Sequence, residues 1–261
     1  MTPPKPAPRA GGFQPPPEPS EAPASGGAQP RVAPHRPGSV FFNKDAPVQR
    51  YRNWLPHWRQ PGKWYFVTFR LADSLAQPKL KQWMAERKLW VELHPEPWSE
   101  KVDKEYHRRF TARFESWLDA GEGECVLRRE DAHLVVAAAL RFFATGVTDG
   151  DWKSPAPAPR YELGDFVVMP NHVHALVRPL PPWELEQILH TWKSFSANAV
   201  NRLTAKHGPV WWKDSFDHLV RSAEHFAKFQ RYIAENPAKA FLKADEYYLH
   251  QTSLCYLNTA P

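Results

Sequence analysis

The sequence is short of cysteine, of long apolar runs and of internal repeats. Only two of its 261 residues are cysteine, Cys125 and Cys255. They form no CxxC knuckle and suggest no disulfide scaffold, which fits a reducing, cytoplasmic setting. No stretch approaches the roughly 18 uninterrupted apolar residues that a membrane span requires. The first ten residues, MTPPKPAPRA, contain no apolar segment of the kind a secretory signal needs.

Proline is what the chain has in excess. It carries 28, and 12 of them fall within residues 1–40. That stretch is otherwise Gly, Ala and Ser, with almost nothing large and apolar to offset its ordering entropy. Residues 1–40 are therefore expected to be a disordered, partly polyproline-like tail. Residues 41–250 read as one folded domain and 251–261 as a C-terminal tail. At 42% hydrophobic residues, the chain has the material for a core.

The formal charge is +6 and the pI about 9.3. Such an excess suits a polyanionic partner without demanding one. Twelve tryptophans offer flat faces for base stacking, and equally a large core contribution. Between Arg50 and Arg70, basic residues Arg50, Arg52, His57, Arg59 and Lys63 interleave with Tyr51, Trp54, Trp58 and Trp64. This pattern suits a surface that tracks a nucleic-acid strand, or a loop pinned to the core by its aromatic rings.

The coarse order of elements follows from periodicity and punctuation. WYFVTFRL (64–71) is dense in aromatic and β-branched residues and predicts a strand. Residues 79–93 and about 101–119 carry helical spacing, broken by HPEPWSE. GEGE (121–124) is a turn, and CVLRR a short strand or an extended lead-in. A helix capped by Asp131 runs to about Phe143. YELGDFVVMPNHVHALVRP (161–179) reads as two strands joined by a Pro-Asn turn. A long helix over 183–208 is expected to close at Gly208. Residues 210–222 look extended or irregular. A last helix starts at Ser222 and is interrupted by Pro237. Strands and helices in this order imply an α+β fold with an antiparallel sheet.

Two features bear on chemistry. In NHVHALV, alternation along a strand puts His172 and His174 on one face, about 6–7 Å apart at the backbone. One metal ion can bridge that gap, because each imidazole reaches about 2.0–2.1 Å to its ion. Alternatively the pair merely hydrogen-bonds within the core. On the last helix, Phe226, Phe229 and Ile233 form an apolar stripe, with Tyr232 at its edge and Asn236 one turn on. That spacing sets a phenol beside an amide. It also describes an ordinary stripe-edge tyrosine and an asparagine near a helix end.

Taken together, VVMPNHVHALV, VWWKDSFDHLVRS and FQRYIAENPAKA resemble the REP-associated tyrosine transposases, within the single-tyrosine transposases that carry a His-hydrophobic-His motif. YFVTFRL and WLDAGEGECVLRR add to the likeness, which runs in order from about residue 50 to 245. The resemblance implies a ferredoxin-like α+β core with a central antiparallel sheet. It implies that His172 and His174 hold a divalent ion, Mg²⁺ or Mn²⁺, and that Tyr232 is the nucleophile. Related enzymes place a third ligand, often Gln, four residues after the tyrosine. Here that residue is Asn236, one methylene shorter, with Glu235 or water as the substitute. The implied partner is single-stranded or hairpin DNA at short palindromic elements, cut through a 5′-phosphotyrosine. Candidate DNA contacts are Arg50, Arg52, Arg59, Lys63, Lys193, Arg202, Lys206, Trp211, Trp212 and Lys213. Lys228, one turn before Tyr232, is a candidate for activating it. Two other readings stand beside this one: a domesticated hairpin-DNA-binding protein with little turnover, and a Zn-dependent hydrolase with a third His, Asp or Glu ligand. Monomer and homodimer are equally compatible with the sequence.

Overall fold

The structure is a computed structural model that describes residues 39–52, 56–95, 98–145 and 158–254. Most of the Pro-rich segment and the last seven residues therefore lie outside the described residues.

Seven strands are described: β1 (Gln49–Arg52), β2 (Pro56–Arg59), β3 (Tyr65–Arg70), β4 (Tyr161–Val168), β5 (His172–Pro179), β6 (Phe216–Leu219) and β7 (Tyr248–His250). The helices are α1 (Gln77–Leu93), α2 (Glu100–Tyr106), α3 (Ala112–Asp119), α4 (Glu130–Arg141), α5 (Leu185–Thr204) and α6 (Ala223–Lys239). A π-turn at His107–Thr111 joins α2 to α3. β1 and β2 form a separate antiparallel pair. The main sheet has the order β6-β3-β5-β4-β7, with every pairing antiparallel. Leaving out β7 and the α1–α3 insertion, the chain runs β3-α4-β4-β5-α5-β6. This is the βαββαβ succession of a ferredoxin-like core, as the sequence implied.

Alternation along the strands sorts side chains to two faces. Tyr65, Val67, Phe69, Val173, Ala175 and Val177 meet α4 and α5 in the largest core cluster, through Val136, Leu140, Ile188 and Trp192. On the opposite face, Trp64, Phe66, Val167 and Leu176 meet Phe226 and Ile233 of α6. The insertion builds its own cluster from Leu80, Trp83, Trp90, Phe110, Phe114 and Leu118, against which Trp212 and Phe216 pack. Phe216 stands opposite Thr68 in the β3–β6 ladder, so the insertion covers the same sheet face as α6. Among the described residues no helix is long and apolar enough to cross a membrane.

Several local expectations are corrected. CVLRR is neither strand nor lead-in: Val126–Arg128 is a 3₁₀ turn. Asp131 does not cap α4; it sits in the first turn and pairs with Arg129. α5 ends on Ala205, which takes a left-handed φ of 53°, and Gly208 lies beyond it. Of the two readings open for residues 210–222, the extended one holds at 216–219, which form a strand. α6 passes through Pro237 to Lys239. The proline's missing N–H removes one bond so near the end that the last turn survives. Ser222 caps this helix as expected, its Oγ accepting from the His225 N–H at 3.2 Å. Residues 251–254 dock on the domain: the Thr252 N–H donates to Asp165 at 2.8 Å, and Gln230 donates to the Leu254 carbonyl at 2.9 Å.

Candidate active site

β5 lies between β3 and β4, so its register is held from both sides. In the β3–β5 ladder Thr68 stands opposite His174 and Arg70 opposite His172. All four point to the face covered by α6 and the insertion. Both imidazoles are buried, and their Nε2 atoms lie 3.0 Å apart. Two ligand atoms at about 2.1 Å from one ion, at right angles, are about 3 Å apart. The separation therefore fits two neighbouring ligands of one divalent cation.

Each ring is fixed from behind. Asn171 Oδ1 lies 2.7 Å from His172 Nδ1, and Thr68 Oγ1 lies 2.7 Å from His174 Nδ1. The Asn171 amide is oriented by its own donations, from Nδ2 to the carbonyls of Leu118 (3.0 Å) and Glu122 (3.3 Å). Its oxygen must therefore face His172, and an amide oxygen only accepts. His172 Nδ1 then carries the proton, and Nε2 presents a lone pair to its neighbour. Thr68 can donate or accept. If it accepts, His174 Nε2 is also a lone pair and the site is ready for a cation. If it donates, His174 Nε2–H satisfies His172 directly. Burial pushes the His172 pKa down to about 3. Burial, with His172 beside it, holds His174 well below the ordinary histidine value. Both rings are neutral at physiological pH, the form that binds metal.

α6 delivers the phenol. The Tyr232 ring stands edge-on to His174 with centroids 5.1 Å apart, and edge-on to Phe66 at 5.7 Å. Phe66 stacks on Phe229 at 4.2 Å and on His174 at 5.4 Å, tying helix, strand and imidazole together. Asn236 is buried, and its Oδ1 has no hydrogen-bond partner among the described residues. Leaving an amide oxygen so costs about 1–3 kcal/mol, a cost that a bound cation would remove. Glu235 is exposed and pairs with Lys239 at 2.9 Å. By donor type, the imidazoles suit a transition-metal ion, and an amide carbonyl oxygen suits Mg²⁺ or Mn²⁺. Among the described residues no group of three His, Cys, Asp or Glu could hold a metal.

The remaining candidates are scattered. Arg59 is buried and pairs with Asp217 and Glu186. Trp211 is buried and donates to Ser196 Oγ at 2.9 Å. Lys193 is tied to the carbonyls of Trp212, Lys213 and Asp214. Burial pushes its pKa down to about 8. Lys63 donates to the Ser39 carbonyl. Lys206, at the end of α5, pairs with Glu124. Arg202 and Lys213 are exposed. The side chains of Arg50 and Arg52 lie outside the described residues. α5 packs on the sheet face opposite the histidines, so its basic residues are not gathered around them. Lys228 is exposed, and the cation seen beside the phenol is Lys239, 5.7 Å from the Tyr232 ring centroid. Sequence reading missed Thr68, Arg70, Asn171 and Lys239. Asn171 could have been found as the residue before the first histidine. Thr68 and Arg70 emerge only from strand register.

Residues 156–236 match the family model described as transposase IS200-like. The match runs from the lead-in to β4 as far as Asn236, and so takes in both histidines and Tyr232. Among solved structures, the chain is similar to one titled "Structure of the REP associates tyrosine transposase bound to a REP hairpin". The identity there is 14% over 73% of each chain, with a TM-score of 0.34. No curated protein matches the sequence.

Proposed function

We propose that this chain, bearing an IS200-like transposase segment, is a metal-dependent single-stranded DNA endonuclease and strand transferase acting at hairpin-forming DNA. The reading is carried by one observation: two buried imidazoles with Nε2 atoms 3.0 Å apart, and a tyrosine ring 5.1 Å from one of them on a packed helix. His172 and His174, with the Asn236 amide oxygen as third ligand, would hold Mg²⁺ or Mn²⁺. Such an ion supplies Lewis-acid polarisation of a phosphate oxygen.

Tyr232 then supplies the nucleophile. Its oxygen bonds to phosphorus and loses its proton. The bond from phosphorus to the 3′-oxygen breaks, and that oxygen leaves as a hydroxyl after gaining a proton. The 5′-phosphotyrosine keeps the ester bond energy, so a second 3′-hydroxyl can reverse the step and join strands without ATP. A phenol titrates near 10, so the step needs a group that takes its proton. Exposed Lys213 is the proposed phosphate contact of the flanking strand, together with Trp212. Binding through them weakens with salt. The proposed setting is cytoplasmic, consistent with a free Cys125.

The test is a labelled hairpin oligonucleotide incubated with the protein and Mn²⁺ or Mg²⁺, resolved on a denaturing gel. A covalent protein–DNA band that needs the metal and vanishes in Tyr232→Phe is expected. Cleavage that survives Tyr232→Phe would overturn the tyrosine mechanism. Hairpin binding with no cleavage would establish the domesticated binder instead.

A further inference from the structure

Arg70 is a buried cation with an unfinished set of partners. The residue is 1% exposed. One terminal nitrogen, Nη1, donates to Ser74 Oγ at 2.9 Å and to the Leu71 carbonyl at 3.2 Å. Nε and Nη2 have no hydrogen-bond partner among the described residues. No carboxylate among the described residues lies within ion-pair distance of it, and Asp73 acts on it only from further off. Its remaining company is aromatic: the Trp212 ring centroid is 4.1 Å from Cζ, and the Phe114 centroid 5.4 Å.

A buried charge is normally paired, because losing water around it is costly. Aromatic faces recover only part of that loss. Arg59 shows what this fold does when a buried guanidinium is purely structural, since it meets both Asp217 and Glu186. Arg70 lacks such a partner. It also stands directly opposite His172 in the β3–β5 ladder, on the same face as the imidazole pair. Side chains so placed have Cβ atoms about 4.5–5.5 Å apart. The two open donors are adjacent on one edge of a planar fork, the edge that grips two oxygens of a phosphate.

We infer that Arg70 is an anion-binding residue, whose Nε and Nη2 hold a phosphate of the DNA strand beside the His172–His174 pair. The inference rests on the proposed strand-cleaving function for the identity of the anion, and on the open donors for the site itself. Arg70 thereby fixes the phosphate next to Tyr232 and offsets charge that builds on it during transfer. His172 is as deeply covered as Arg70.

The test compares the wild-type chain with Arg70→Met and Arg70→Lys. Three quantities are read: melting temperature, Mn²⁺ affinity, and the rate of covalent adduct formation on a single-stranded hairpin oligonucleotide. Arg70→Met is expected to melt at or above the wild-type temperature, since it removes an unpaired buried charge. Its Mn²⁺ affinity should stay within about threefold, while its adduct rate falls at least about a hundredfold. Arg70→Lys, a cation without the fork, should fall between. Arg70→Met that melts lower, yet forms adduct at the wild-type rate per folded molecule, would overturn the inference and leave the cleavage reading intact. If the wild-type chain forms no adduct, the cleavage reading falls by itself. The anion site is then judged with inorganic phosphate at constant ionic strength. A phosphate-dependent rise in wild-type melting temperature that is absent in Arg70→Met upholds it, and equal behaviour of the two overturns it.

Discussion

Asn171 decides which nitrogen of His172 carries the proton. Its amide is locked by donation to the Leu118 and Glu122 carbonyls, so its oxygen can only accept from His172 Nδ1 at 2.7 Å. Removing that acceptor frees the ring to rotate and to change tautomer. Asn171→Ala is expected to weaken Mn²⁺ binding by about 10–100-fold, the usual effect of losing such a support. Calorimetric titration checks this. Affinity equal to wild type would mean that packing alone orients the ring.

The imidazole pair makes the metal-free protein sensitive to acid. Folded-state pKa values lie far below the ordinary 6.5, because burial penalises the charged rings. The stabilisation is present above the unfolded value and is lost as pH falls from 6.5 toward the folded value. Each histidine contributes a slope that grows from about 0.7 kcal/mol per pH unit at pH 6.5 toward about 1.4 near pH 5. Denaturant titrations of the metal-free chain should show stability falling over this range, and His172→Gln should flatten the fall. Parallel curves would place the protonation elsewhere.

His57 acts in the opposite direction. Burial by itself would lower its pKa. Asp214 on one side, at 3.2 Å from Nε2, and Asp217 on the other outweigh burial and raise it to about 9. The imidazolium then stabilises the fold fully below pH 6.5, and the effect drains away as pH rises toward 9. Lys193, pushed down to about 8, contributes the opposite slope above that pH. The comparison therefore belongs between pH 6.5 and 8. There the wild type should lose melting temperature that His57→Asn does not.

Ala205 closes α5 in a left-handed conformation at φ 53°. A side chain resists this region and glycine does not. Ala205→Gly is expected to raise stability by about 0.5–1 kcal/mol, read by urea denaturation, with no change in metal binding. A loss of stability would mean that the methyl group packs favourably where it is.

The fold was readable where pattern is strong. FVTF and HVHALV alternate or run apolar, and α5 and α6 carry clear stripes, so the strands and helices that build the core could be placed. What failed were signals with two readings. Gly208 looked like the stop of α5, but the chain had already turned at Ala205. Pro237 looked like a breaker, but one lost bond at a helix end is tolerated. The histidine pair and Tyr232 were visible as types and spacings. Their convergence on one sheet face required the topology. Thr68, Arg70 and Arg59 could not be separated by sequence, because all three are polar residues in or beside strands. Only register and partners show that Arg59 closes an ion network while Arg70 faces the site.

The double duty of the Asn171 amide has a thermodynamic consequence. Its oxygen meets a proposed metal ligand, while its nitrogen meets the carbonyl at the end of the insertion's last helix. With His172 as a proposed ligand, docking of the insertion and loading of the ion would be two equilibria joined through one planar group. By reciprocity, the factor by which a docked insertion tightens metal binding equals the factor by which bound metal tightens docking. The α1–α3 insertion, touched by Asn171 through the Leu118 carbonyl, would thereby be a second handle on the proposed site.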